Sequence, residues 1–224
     1  MKFIPKMLVF GLVQLVAFGS MLFLPAGTFD YWQAWLFLAA LTLSTWISGV
    51  YLLRKHPAAL QRRMGGGPIR ESRTVQKFIM GGVWLSLAAM VVVSALDHRC
   101  GWSSVPTAVC LGGYALVAAG LVVAMLVVIQ NSYAAATVQV EAGQQVISTG
   151  LYGLVRHPMY AGYVIMMAGI PFALGSYVGL VFVVPGFIAL TLRIRDEEKL
   201  LQEKLDGYRE YTQQVRYRLV PWIW

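Results

Sequence analysis

Two groups of charged side chains stand out in a largely apolar chain. Arg156 and His157 stand side by side and run into Pro158, Met159 and Tyr160. The second group is Arg193, Arg195, Asp196, Glu197 and Glu198. An arginine fork holds an anion by paired donors, and an aromatic face attracts a cation. No Ser or Cys lies beside a base, so no covalent nucleophile is evident. No second His or Cys lies near His157, so a metal is not expected there. Gly65-Gly66-Gly67-Pro68 lacks the Gly-Lys-Ser/Thr of a phosphate loop, and no Gly-x-Gly-x-x-Gly occurs. The residue types suit binding and orientation.

Arg193 and Glu197 are four apart and share a helix face. Alone, such a pair is a surface ion pair worth a few tenths of a kcal/mol, on the order of 0.3. It gains meaning only if the chain between 159 and 192 brings it back to His157 and Tyr160. Polar residues gathered at membrane depth then read as a functional site.

The elements that must do this are apolar. Of 224 residues, 58% are hydrophobic and 12% are charged, against about 25% charged in soluble domains. Mean hydropathy is +0.64. Several runs reach the roughly 20 residues that span a bilayer. The fold class expected is all-α, a polytopic transmembrane helix bundle. The net charge of +8 flanks the apolar runs, so it fits topology and anionic headgroups. No aromatic-interleaved basic patch exists, so nucleic acid is not an expected partner. Cys100 and Cys110 give no disulfide framework.

Lys2 and Lys6 precede the apolar run Met7 to Leu24, expected to be a retained first helix. The second is expected over Trp32 to Leu53, the third over Phe78 to Leu96, and the fourth over Pro106 to Ile129. The basic linker 54–77 reads as a loop on the headgroups, and Asp97 to Val105 as a solvated turn. Gln130 to Val155 is polar, with a short extended segment expected in Thr137 to Ile147. The tail beyond Arg193 begins as a helix, and Asp206-Gly207 ends or bends it.

Met159 to Leu192 is too long for one span. Pro171, Gly175-Ser176 and Gly179 favour two short helices turning near Gly175-Ser176; one long kinked helix is the alternative. The charges favour the hairpin. All 18 Lys and Arg except Arg99 then fall on one side. About six membrane segments result, the last two a hairpin, followed by a C-terminal cytoplasmic helix. Both termini and the site are expected in the cytoplasm.

The pattern Gly150-x-Tyr152-x-x-x-Arg156-His157-Pro158-x-Tyr160-x-Gly162, an apolar hairpin, Arg193-x-x-x-Glu197-Glu198 and Tyr208-x-x-Tyr211 resembles the isoprenylcysteine carboxyl methyltransferase family. Related membrane methyltransferases act on phospholipid amines. The resemblance covers roughly residues 130 to 221. It implies a 1–130 transmembrane scaffold and a 131–224 catalytic methyltransferase region. It implies S-adenosylmethionine as cofactor, contacted by Gln144, Gln145, Val146, Ile147, Tyr152, His157, Pro158, Met159, Tyr160 and Glu197. Gln139 joins this set if a short gap is allowed. Arg193 is implied to orient the substrate carboxylate. Leu151 stands where Pro is frequent, and Asp206-Gly207-Tyr208 shortens a more usual Phe-Gly-x-x-Tyr.

The expected partner is a lipophilic small molecule or lipidated acceptor, within membrane lipid. The oligomeric state is left open. A carboxylate acceptor is ionised at neutral pH and needs no strong base. The alternative is a phospholipid or other amine, which must lose a proton, with Glu198 or Glu197 as the local base. A transporter or scaffold is the non-enzymatic alternative; ionisable residues within the helices, its expected mark, are essentially missing.

Overall fold

The structure is a computed structural model that describes residues 3–65, 71, 73–134, 140–141 and 143–224. Among the described residues it is all helical. In chain order the helices are α1 (Phe3–Ala26), α2 (Trp32–Lys55), α3 (Pro57–Gly65), α4 (Thr74–Cys100), α5 (Thr107–Gln130), α6 (Pro158–Ala173), α7 (Val183–Lys204) and α8 (Tyr208–Gln214). Helices α1, α2, α4 and α5, and the stretch Val178–Lys204, are long and apolar enough to cross a membrane. Helix α6 is apolar but shorter.

The outward faces are apolar too. Leu12, Val13, Leu43, Ile47, Phe78 and Leu85 are each at least 60% exposed. In water such a surface would be an interaction liability; here it meets acyl chains. Inside, Leu22, Tyr31, Phe37, Met90, Val117, Ile170, Leu190 and Ile194 form one core. Helix α4 packs on α1 and α7, and α5 on α6.

The α5–α6 contact is set by glycine. A Cβ added at Gly162 would lie 2.9 Å from the Gly120 carbonyl oxygen, and one at Gly169 would lie 2.7 Å from that of Gly113. Without a hydrophobic force between helices in lipid, such backbone proximity supplies the dispersion contacts that hold them.

The hairpin forms, because Gly175 adopts a left-handed φ of +73° that a side chain would oppose. The Tyr31 hydroxyl donates to the Leu174 carbonyl at 2.7 Å, and Ser176 Oγ donates to Asp97 at 2.5 Å. The second leg begins as a 3-10 turn over Val178–Phe182 and continues as α7. The described ends of the chain lie toward the same end of the bundle as the Pro158 entrance of α6. Met7 packs beside Leu52 and Val128, while Arg218 reaches Glu198.

Three expectations are corrected. The 54–77 linker is not simply a headgroup loop, since Pro57–Gly65 is helical and buries Ala59 and Leu60. Asp97 is not in a solvated turn. Helix α4 runs on to a left-handed cap at Gly101, which leaves Asp97 1% exposed. It accepts bonds from Ser103 N, Ser103 Oγ and Ser176 Oγ. The tail is not a solvent-exposed amphipathic strip. Leu205, Tyr208, Tyr211 and Val215 are buried against Val140, Val146 and Leu201. Residues 140–141 and 143–147 form no strand; the rest of the expected extended segment lies outside the described residues.

Candidate active site

Pro158 starts α6, as its fixed φ and missing N–H favour. His157 therefore sits at the helix entrance. The tail fixes that entrance: the backbone N–H groups of Arg156 and His157 donate to the carbonyls of Tyr217 and Arg218, both at 2.9 Å. Glu198 collects three cationic or polar partners. Arg156 Nε lies 2.9 Å away as an ion pair without hydrogen-bond geometry, Arg218 Nε donates at 2.8 Å, and His157 Nε2 lies at 3.3 Å. A carboxylate only accepts, so the His157 proton on this bond sits on Nε2. Arg156, which the motif left without a role, is thus an anchor for α7 and the tail.

The next layer holds Tyr160 between opposite charges. Arg193 Nε donates to the Tyr160 hydroxyl at 2.8 Å, and that hydroxyl donates to Glu197 at 2.6 Å. The Tyr160 hydroxyl thus bridges Arg193 and Glu197. Arg193 Nη1 also meets Glu71 Oε1 at 2.8 Å and Gln76 Oε1 at 2.9 Å.

One cavity runs along these groups. Its walls include Gln144, Gln145, Val146, Ile147, Tyr152, His157, Pro158, Met159, Tyr160, Arg193 and Glu197. Each expected site residue is there except Gln139, which lies outside the described residues. Gln144 also holds its own loop: its side chain accepts from Glu141 N, and its N–H donates to Glu141 O, both at 3.1 Å.

The walls also include Asn131, Tyr133, Tyr208 and Tyr211, which the motif did not assign to ligand binding. Asn131 Nδ2 donates to the Tyr152 hydroxyl at 3.1 Å, and the Tyr211 hydroxyl donates to the Tyr152 carbonyl at 2.8 Å. Burial pushes the Tyr152 hydroxyl up to about 12. Burial likewise raises Tyr208 and Tyr211 above the usual phenol range, so all three are neutral donors at ordinary pH. Tyr208 is 4% exposed, and its hydroxyl has no hydrogen-bond partner among the described residues. Its place in Tyr208-x-x-Tyr211 was the available signal.

Described residues of the 54–77 linker contact this region from outside the cavity walls. Arg62 pairs with Glu141 at 2.9 Å, Arg63 Nη1 lies 3.8 Å from Met159 Sδ, and Arg73 pairs with Asp196 at 2.9 Å. Glu71 had no place in the motif, because nothing near it in sequence links it to Arg193.

Fold and cavity define a polytopic integral membrane protein with a polar, tyrosine-walled pocket at one end of its bundle. Residues 108–206 match the family described as phospholipid methyltransferase, PEMT. That stretch carries α5, the cavity loop and the hairpin, the region that holds most of the motif residues. The Mus musculus protein Delta(14)-sterol reductase TM7SF2 is 34% identical over 91 residues, 39% of this chain and 22% of that protein. The chain thus spans about a fifth of the curated relative's length. A solved structure of the eukaryotic intramembrane Ras methyltransferase ICMT (isoprenylcysteine carboxyl methyltransferase) is 15% identical, with 98% of this chain and 87% of that chain covered and a TM-score of 0.37.

Proposed function

We propose that the protein is an S-adenosylmethionine-dependent methyltransferase with a lipophilic acceptor, its pocket facing the cytoplasm. The observation that carries this reading is the convergence on one cavity of the motif residues from Gln144 to Glu197. The donor set fits the cofactor. Glu197 suits an ammonium group, the walls of Tyr152, Tyr160, Tyr208 and Tyr211 suit an adenine and a sulfonium, and the Tyr208 hydroxyl, without a partner among the described residues, is a donor for a ligand acceptor.

When bound, the cofactor supplies an electrophilic methyl group whose C–S bond breaks as an acceptor lone pair forms the new bond. The chain's work is positioning. Glu198, fully engaged by Arg156, His157 and Arg218, holds the cavity entrance and is not a free base. Tyr160 keeps Glu197 aligned, and Arg193 offers the cavity its guanidinium. In the first reading that guanidinium orients an acceptor carboxylate, which yields a methyl ester with no proton to remove. The second reading is an amine acceptor. The Arg193–Glu71 pair favours it, because the guanidinium is already answered, and Glu197 would be its nearest proton acceptor.

The test is calorimetry with S-adenosylmethionine and S-adenosylhomocysteine, followed by transfer of labelled methyl to acid and amine lipids. Binding and label transfer are expected, and base-labile label marks an ester. Reduced nicotinamide dinucleotide is the control ligand, because the 34% identical relative is a reductase. Heat from the dinucleotide alone overturns the proposal.

A further inference from the structure

Among the described residues, Arg193 is the cation that borders the cavity without joining the Glu198 cluster, and its charge is met from outside the cavity wall. Glu71 contacts it at 2.8 Å, with the two side chains 1% and 4% exposed respectively. Gln76 accepts from the same Nη1, and Tyr160 from Nε. Arg193 lines the cavity, whereas Glu71 and Gln76 do not.

An acceptor carboxylate approaching this guanidinium meets a cation already balanced out of water. Pulling the pair apart separates two buried opposite charges, a costly step for an ion pair out of water. Adding a second carboxylate beside Glu71 brings like charges together where screening is weak. Glu197, reached through Tyr160, adds a further negative charge on the same wall. A neutral or cationic head group meets no such opposition.

We propose that Glu71 is a specificity-determining residue: as the internal counter-anion of Arg193 it keeps acceptor carboxylates off the guanidinium and biases the cavity toward uncharged or cationic head groups. Specificity of this kind is set by repulsion of the wrong ligand as much as by attraction of the right one. The inference rests on the proposed reading of the cavity as the acceptor and cofactor site.

The test uses the full chain in neutral-detergent micelles with two probes, a pyrene-labelled fatty acid and the matching pyrene-labelled alkylamine. Wild type is expected to hold the amine about tenfold or more tighter than the acid. Glu71→Gln is expected to reverse this, with acid affinity rising about tenfold and amine affinity falling. Glu71→Asp keeps the charge and should restore the wild-type order, which a purely structural role would not predict. Should Glu71→Gln fail to fold, Glu71→Gln with Arg193→Gln removes both charges; it should lose the amine preference and gain no acid affinity. Equal wild-type affinity for the two probes, or variants that shift both probes alike, overturns the proposal. Calorimetry with S-adenosylhomocysteine on the same wild-type sample separates the two levels. Binding without probe reversal sinks only the Glu71 assignment, whereas no binding sinks the methyltransferase reading.

Discussion

His157 and Glu198 are 41 positions apart in the chain, yet His157 Nε2 lies 3.3 Å from Glu198 Oε1. This contact closes the hairpin at the cavity end, while the Ser176–Asp97 bond ties its turn to α4 at the other. Removing Glu198 also strands Arg156, whose side chain is 8% exposed. Glu198→Ala is therefore expected to cost about 3 kcal/mol of stability, read as a lowered midpoint in thermal or denaturant unfolding. An unchanged midpoint would show that the tail is not anchored here.

His157 and Glu197 are expected to serve the cofactor, and Arg193 the acceptor. His157→Ala and Glu197→Ala should each weaken S-adenosylmethionine binding by about tenfold, the loss of one charge-assisted or aromatic contact. Arg193→Ala should leave that affinity within a few-fold and lower turnover. Calorimetry beside single-turnover methylation separates the two. Equal cofactor affinity in the three variants would undo the division of roles.

Tyr208 carries a buried hydroxyl with no hydrogen-bond partner among the described residues. Tyr208→Phe is expected to leave the ligand-free protein as stable or more stable, by up to about 1 kcal/mol, because an unsatisfied polar group is removed. The same variant should bind S-adenosylhomocysteine more weakly. A melting curve and a binding isotherm on one sample check both signs.

The α5–α6 seam has no room for a side chain at Gly162. Gly162→Leu is expected to cost at least about 2 kcal/mol by overpacking and to shift the α6 entrance, so cofactor affinity falls with stability. Gly112, with open space around it, is the control: Gly112→Leu should change neither.

Tyr152 has a hydroxyl pushed up to about 12 by burial, above the ordinary phenol value near 10. A raised pKa favours the protonated form in the fold. Its contribution is whole below pH of about 10 and is lost as pH climbs through about 12. Ultraviolet titration should show one fewer late-ionising tyrosine in Tyr152→Phe, and that variant should lose less stability across the same alkaline window.

The bundle and most of the candidate pocket were legible in the chain because their signals are local. Apolar runs of spanning length, the Gly175-Ser176 break and the one-sided Lys and Arg distribution each report on a single segment or its flank. Arg156-His157-Pro158-x-Tyr160 and Arg193-x-x-x-Glu197 likewise sit within one or two helical turns. The linker helix at Pro57–Gly65 was hidden by its basic residues, which read equally well as headgroup contacts.

By itself, then, the sequence determined that the chain is a membrane helix bundle with two charged clusters at one end, since hydropathy and helical periodicity are properties of contiguous residues. Tertiary structure alone decided who answers each charge: Glu71, far away in the chain, meets Arg193, Asp97 pins Ser176, and Glu198 gathers Arg156, His157 and Arg218. The partner of a buried charge depends on ångström-scale distances between elements far apart in the chain. No spacing along the sequence encodes those distances.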